Sequence, residues 1–134
     1  RTMRNNAEKE GAVFSSPNDN RITPFGKFMR KTRIDEFPQF VNILKGEMAV
    51  IGPRPERPFF VKEIAEIMPF YETRHVIKPG LTGWAQVNYS YGESIDDSLI
   101  KLQYDLYYIK HRSIFLDLNI VIKTISTVLF YRGQ

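Results

Sequence analysis

Cysteine is absent from the 134-residue chain, which excludes disulfide frameworks, thiolate zinc sites and cysteine nucleophiles. Histidine is scarce: His75 and His111 lie far apart and match no metal-ligand spacing, so a metal centre built on imidazole is not expected. No Walker loop, GxGxxG, HExxH or GxSxG occurs, which removes the common P-loop, dinucleotide-binding, zincin and serine-hydrolase chemistries. Long apolar runs are missing too. The nearest, Ile114 to Tyr131, has 12 apolar residues among 18 but is interrupted by Asp117 and Lys123, and a charge at a bilayer centre costs about 2.5 to 3.5 kcal/mol. That segment is expected to lie on a membrane or inside the domain, with Ile114, Leu118, Val121, Ile125 and Val128 at helical spacing. The opening residues show no signal-peptide pattern, and an arginine at position 1 suggests a piece of a longer chain.

What remains is oxygen, nitrogen and charge. With 43% hydrophobic and 13% aromatic residues there is material for one core, and a chain of this length fits a single compact domain spanning 1–134. The net charge of +4 is unevenly placed. Between Arg21 and Lys62 nine basic residues face four acids, a local excess of five. Such a patch attracts an anion: nucleic acid, phospholipid headgroups or a phosphorylated small molecule.

Residues 1–20 are polar, with Ser15, Ser16, Pro17, Asn18, Asp19 and Asn20 reading as a mobile loop. Thr23 before Pro24 is an N-cap followed by the residue best suited to a first helical turn, and a basic helix is expected to run to about Arg33. Asp35 reads as the N-cap of a second helix, with Pro38 in its first turn and Gly46 as its stop. A short buried strand from Met48 to Ile51 leads into Gly52-Pro53-Arg54-Pro55-Glu56, where two prolines stiffen the backbone around Arg54. Helical periodicity from Phe59 to Tyr71 is ended or kinked by Pro69, the Lys78 to Trp84 stretch is turn-rich, and Ala85 to Tyr89 reads as a second strand. Ser94 with Asp97 forms a capping-box pattern opening the clearest helix, whose expected buried stripe is Ile95, Leu99, Leu102, Leu106 and Ile109, with Lys101, Asp105, Tyr108 and Arg112 opposite. The expected fold class is mainly α with a small β element, a single domain of amphipathic and interfacial helices. Asn88-Tyr89-Ser90 fits a glycosylation triplet, a pattern common by chance.

The informative constellation is Asp35-Glu36, placed at a helix start behind Arg30, Lys31 and Arg33. Helix-terminal partial charge and nearby cations favour an ionised carboxylate. Such an aspartate can serve as a nucleophile toward phosphorus, and a second carboxylate beside it suits Mg2+. The plainer reading is that Asp35 caps and Glu36 is a first-turn acid. Arg54, held by a stiff backbone, can take a phosphate with two hydrogen bonds.

Three runs, RKTRIDEFPQFVNILKGEMAVIGPRPE (Arg30 to Glu56), KPGLTGWAQVNY (Lys78 to Tyr89) and KLQYDLYYI (Lys101 to Ile109), together resemble the bacterial sugar transferases of the polyprenyl-phosphate glycosyl-1-phosphate type. The resemblance implies a catalytic domain, with Mg2+ as cofactor, that moves a sugar-1-phosphate from a UDP-sugar to undecaprenyl phosphate, releases UMP and initiates capsule, exopolysaccharide or O-antigen assembly. It implies Asp35 as nucleophile through an aspartyl-phosphosugar intermediate, Glu36 as the metal-associated residue, and Arg30 and Arg54 as phosphate holders, with Pro53 and Pro55 flanking. Asp105 is implied at the metal or substrate, and the turn containing Thr82 and Gln86 at the nucleotide. It further implies the cytoplasmic face of a bacterial inner membrane, a preceding re-entrant membrane helix outside these residues, no nucleic-acid partner and room for a homo-oligomer. Two departures stand out: Arg33 and Ile34 occupy positions where the family usually has Ser-Leu, and Phe37 stands where Leu is commoner. Two rival readings remain at this stage: a non-catalytic basic module docking on anionic membrane or nucleic acid, and a direct displacement in which Asp35 is a base or metal ligand.

Overall fold

A computed structural model describes residues 2–3, 19–32, 34–89 and 94–129. Arg33, Ser90 of the glycosylation triplet and most of the expected N-terminal loop lie outside the described residues. The order is α1 (Pro24–Lys31), a 3-10 turn (Ile34–Glu36), α2 (Phe37–Leu44), β1 (Ala49–Ile51), α3 (Pro58–Ile67), a 3-10 segment (Tyr71–Val76), β2 (Gly80–Thr82), α4 (Trp84–Asn88), α5 (Ile95–His111) and α6 (Ile114–Leu129). The mainly helical class with a small β element is therefore what the chain adopts.

Local chemistry explains most boundaries. The Thr23 hydroxyl accepts the Gly26 N–H at 2.9 Å, with Pro24 in the first turn of α1, which satisfies one of the donors a helix start leaves unpaired. Gly46, at φ 76°, takes the left-handed conformation just past α2 that few other residues adopt without cost. The Ser94 and Asp97 capping box opens α5 in both directions. Pro69 follows the end of α3, and the chain turns there through Phe70 at φ 69°, the only described non-glycine residue with positive φ.

Several expectations are corrected. Asp35 does not cap α2: Ile34–Glu36 form a 3-10 turn, Glu36 occupies the cap position in a helical conformation, and its side chain makes no capping bond. The segment from Ala85 is helical, as α4, because the second strand forms earlier, at Gly80–Thr82. Its parallel register with β1 pairs Ala49 with Gly80 and Ile51 with Thr82. β1 itself is not fully buried, since Val50 is exposed.

The core cluster joins Phe60, Ile64 and Met68 near α3 with Tyr71 and Leu102 of α5, flanked by Val61, Ala65 and Leu106. The buried face of α5 differs from the expected stripe. Ser98, Leu102, Asp105 and Tyr108 point inward, while Leu99 is largely exposed, so the helix is rotated to carry polar groups into the fold. The Tyr108 hydroxyl donates to Asp117 of α6 at 2.7 Å, and burial followed by that bond pushes the phenol up to about 12.

α6 is amphipathic in an inverted sense. Ile120, at 0% exposure, and Thr124 face the fold, whereas Ile114 and Phe115, both 85% exposed, and Leu118, Ile122 and Ile125 face away from it. Reading its apolar stripe as core is thereby overturned. α1 and α2 likewise leave Phe25, Phe28, Phe37, Phe40 and Leu44 exposed, with the Phe25 and Phe28 rings stacked at 6.4 Å and those of Phe37 and Phe40 tilted at 5.8 Å. No described helix is long and apolar enough to cross a membrane.

Candidate active site

The Pro-Arg-Pro loop leaves β1 at the same end of the parallel pair from which Gly83 leaves β2. Gly52 donates to the Thr82 carbonyl at 2.9 Å, and the chain then doubles back so that the Pro53 carbonyl accepts the Gly80 N–H at 2.9 Å. This crossing leaves no room for side chains: a Cβ on Gly80 would collide with the Gly52 backbone, and one on Gly52 would lie 2.6 Å from the Lys78 carbonyl oxygen. The glycines of the two motifs are thus required by each other.

One residue further, the Arg54 carbonyl accepts from Arg74 Nη2 at 2.9 Å. Arg74, in the 3-10 segment, is 4% exposed. Its Nη1 donates to the Tyr71 hydroxyl at 2.6 Å, its guanidinium carbon sits 5.2 Å from the centre of the Tyr71 ring, and Nη2 lies 2.7 Å from Asp105 Oδ2 of α5. Burial pushes the Asp105 carboxyl up to about 6 against the opposing pull of Arg74. Held by its backbone on both sides, Arg54 turns its guanidinium outward and places Nη1 3.7 Å from Glu36 Oε1.

The structure therefore brings Glu36 and Arg54 together, two expected site residues that are distant in sequence. Asp35 is half-buried on the same 3-10 turn, and among the described residues no hydrogen bond or ion pair engages its carboxylate. Arg30, in the last turn of α1, is half-buried and lies near enough to Asp19 to add to the pull on that carboxyl. The other expected contacts fall elsewhere. Thr82 is buried and its hydroxyl pairs with Thr124 of α6 at 2.8 Å. Asp105, 1% exposed, faces Arg74 rather than solvent. Gln86 is half-buried, its Nε2 only 3.5 Å from the Leu81 carbonyl and its Oε1 buried without a partner.

Arg74 is the residue that sequence reasoning missed. Its charge sits between Tyr71 and the apolar Val76 and Ile77, and pairing with an acid 31 positions away on another helix leaves no local signature.

An open groove of about 670 Å³ lies between α3 and the 3-10 segment, lined by Glu56, Val61, Lys62, Glu66, Glu72 and His75. It contains none of the expected site residues, and its three carboxylates would repel a diphosphate. Among the described residues no cluster of three or more metal-ligating side chains occurs. Mg2+ commonly binds through one or two carboxylates plus substrate phosphates, and consecutive Asp35 and Glu36, free of capping bonds, fit that donor set.

Comparison with known proteins places the chain in a family. A family profile described as bacterial sugar transferase matches residues 1–131, and the chain belongs to that family. It is 51% identical over 129 residues, 96% of this chain and 30% of the relative, to the UDP-N-acetylgalactosamine-undecaprenyl-phosphate N-acetylgalactosaminephosphotransferase of Aeromonas hydrophila. Identity to the UDP-glucose:undecaprenyl-phosphate glucose-1-phosphate transferase of Xanthomonas campestris pv. campestris is 43% over 117 residues, covering 86% of the chain and 24% of that protein. The same-named enzyme of Escherichia coli (strain K12) is 41% identical over 115 residues, 83% of the chain and 24% of the relative. The chain thus spans less than a third of the length of these relatives.

Proposed function

We propose that this domain carries the chemistry of a transferase that moves a sugar-1-phosphate from a UDP-sugar to undecaprenyl phosphate, releasing UMP, as the first step of a cell-surface polysaccharide or glycoconjugate. The carrying observation is the convergence of the Asp35-Glu36 turn, free of capping duty, with Arg54, 3.7 Å from Glu36 on a loop held at two consecutive carbonyls. The names of the relatives, all acting on UDP-sugars and undecaprenyl phosphate, support the substrate class.

In this reading an Asp35 carboxylate oxygen attacks the phosphorus that bears the sugar. A bond forms between that phosphorus and the carboxylate, the bond to the bridging oxygen breaks, and UMP leaves with the electron pair. A phosphate oxygen of the lipid then attacks the same phosphorus and returns Asp35 as a free carboxylate. Two half-reactions give ping-pong kinetics. Arg54, flanked by Pro53 and Pro55, holds the phosphoryl oxygens by paired N–H donors, and Arg30, on the helix that contacts the Ile34–Glu36 turn, is the second phosphate-holding cation. Mg2+, held by Glu36 with Asp35 beside it, would supply neutralisation of phosphate charge.

A polyprenyl acceptor requires the domain to meet a membrane. The outward stripe of α6, with Ile114, Phe115, Leu118, Ile122 and Ile125 exposed, and the exposed phenylalanines of α1 and α2 support seating at the interface, at the cytoplasmic face where UDP-sugars are available.

The test is trapping. Full-length protein incubated with a UDP-sugar and no lipid acceptor should gain the mass of one phosphosugar on the peptide containing Asp35 and release one equivalent of UMP. Asp35→Asn should show neither. An adduct that survives the substitution removes Asp35 as nucleophile, and absence of UMP release across a panel of UDP-sugars overturns the assigned reaction.

A further inference from the structure

We propose that Arg74 is a positioning residue for the reaction, acting through Arg54, with Asp105 and Tyr71 as its anchors. The direction of the Arg54 side chain depends on how its own peptide is held. Prolines on either side fix φ at their own positions and remove donors; they leave the peptide between them free to rotate unless its carbonyl is held. Two donors hold the loop: Gly80 N–H takes the Pro53 carbonyl, and Arg74 Nη2 takes the Arg54 carbonyl at 2.9 Å. The first is backbone and belongs to the sheet edge. The second is a side chain reaching across from a different segment, and so depends on what holds Arg74.

That support comes from two residues and engages both terminal nitrogens of the guanidinium, while Nε is buried without a hydrogen-bond partner. Arg74 is buried, Nη1 is engaged by the Tyr71 hydroxyl at 2.6 Å, Nη2 meets Asp105 at 2.7 Å, and the guanidinium lies over the Tyr71 ring. A charge this far from water demands a partner, and Asp105, on α5 in contact with the core, supplies it. A planar guanidinium spreads its donors over a rigid fork, so that Nη1 reaches the phenol while Nη2 meets the peptide carbonyl and the carboxylate; a lysine ammonium concentrates its three donors on one atom and loses that spread. The sequence resemblance implied that Asp105 meets metal or substrate. Its burial against Arg74 assigns it instead to the clamp behind the loop.

The activity arm of the test rests on the transfer reaction proposed above; the structural arm does not. In full-length protein, hydrogen exchange of the Gly52, Arg54, Glu56 and Arg57 amides should quicken at least tenfold in Arg74→Lys, while amides of α5 and α6 stay within about threefold of wild type. Tyr71→Phe, which removes one anchor and keeps the ion pair, should quicken the same amides by a smaller factor and covers the case in which Arg74→Lys does not fold. In turnover, Arg74→Lys should lower kcat by about ten- to a hundredfold, the range expected when a catalytic group is displaced by about 1 Å. The same substitution placed on Arg54→Ala should cost less than twofold, because the group being positioned is gone. Equal losses in both backgrounds would mean that Arg74 merely supports the fold and would overturn the proposal, as would unchanged exchange at residues 52–57 in both Arg74→Lys and Tyr71→Phe. If wild-type protein releases no UMP from any UDP-sugar while the local exchange effect is present, the assigned reaction falls and the clamp stands.

Discussion

Arg54 Nη1 and Glu36 Oε1 stand 3.7 Å apart, with the arginine side chain about half exposed. At that distance and exposure an ion pair contributes about 0 to 1 kcal/mol, so its value is arrangement rather than stability. A loosely paired guanidinium can exchange its carboxylate for a phosphate oxygen when substrate arrives. Arg54→Ala should therefore shift the thermal midpoint little while lowering UMP release by roughly a hundredfold, comparable to losing one donor to developing transition-state charge. Wild-type turnover in the variant would show that this arginine does not engage phosphate.

The two faces of α6 make opposite predictions. Ile120→Ala opens a cavity at a fully buried position and should cost about 2 to 5 kcal/mol in denaturant unfolding. Phe115→Ser touches a side chain 85% exposed and should leave stability within about 0.5 kcal/mol. Yet if α6 lies at a membrane, the same change should weaken partitioning to anionic lipid vesicles by roughly ten- to a hundredfold, the loss expected from one buried aromatic side chain. A Phe115→Ser variant that partitions like wild type would remove α6 from the interface.

Gly80 sits where β2 crosses the turning chain at Gly52, and a methyl group there meets backbone rather than a flexible side-chain end. Gly80→Ala should lower the denaturation midpoint markedly and, by breaking the Gly80 N–H bond to the Pro53 carbonyl, should depress turnover in whatever folded fraction remains. Gly46→Ala offers a control: the position has positive φ but only the Lys78 ammonium nearby, so its cost should be the modest strain of a left-handed alanine, without loss of activity.

Capping and breaking residues were the most legible features of the sequence, because each acts within a few positions of itself. Thr23-Pro24, Gly46, Pro69 and the Ser94-Asp97 box mark helix ends where the physics is local. The Asp35-Glu36 and Pro-Arg-Pro motifs were legible as chemistry, but their meeting was not, since it depends on a parallel strand pair of three residues each, too short to leave a clear period. Ala85 to Tyr89 reads equally well as strand or helix for the same reason of length. The face of α5 was misread because apolar periodicity points inward only when the interior is apolar. Here Asp105 and Tyr108 find buried partners in Arg74 and Asp117, and α6 exposes the apolar side that the same rule would bury.

Asp97 gives the domain an acid-sensitive joint whose sign can be worked out. The Ser94 hydroxyl first, then the Tyr89 hydroxyl at 2.5 Å and the Ser94 N–H, all donate to this carboxylate and hold its pKa down to about 2 from an ordinary 3.8. Between those two values the unfolded chain binds a proton that the folded chain refuses, so stability rises with pH across that window. The contribution is fully present above about pH 4 and is lost as pH falls through the folded value near 2. Asp97→Asn should flatten this part of the dependence, read as the denaturant midpoint of wild type minus variant from pH 2 to 5. Some acid slope should survive in the variant, because Asp19, held near 2 by the Arg21 guanidinium, titrates in the same window at the other end of the chain. Should wild type and Asp97→Asn lose stability in parallel throughout, the Ser94 and Tyr89 bonds do not hold the ionised form, and the start of α5 is fixed by its backbone alone.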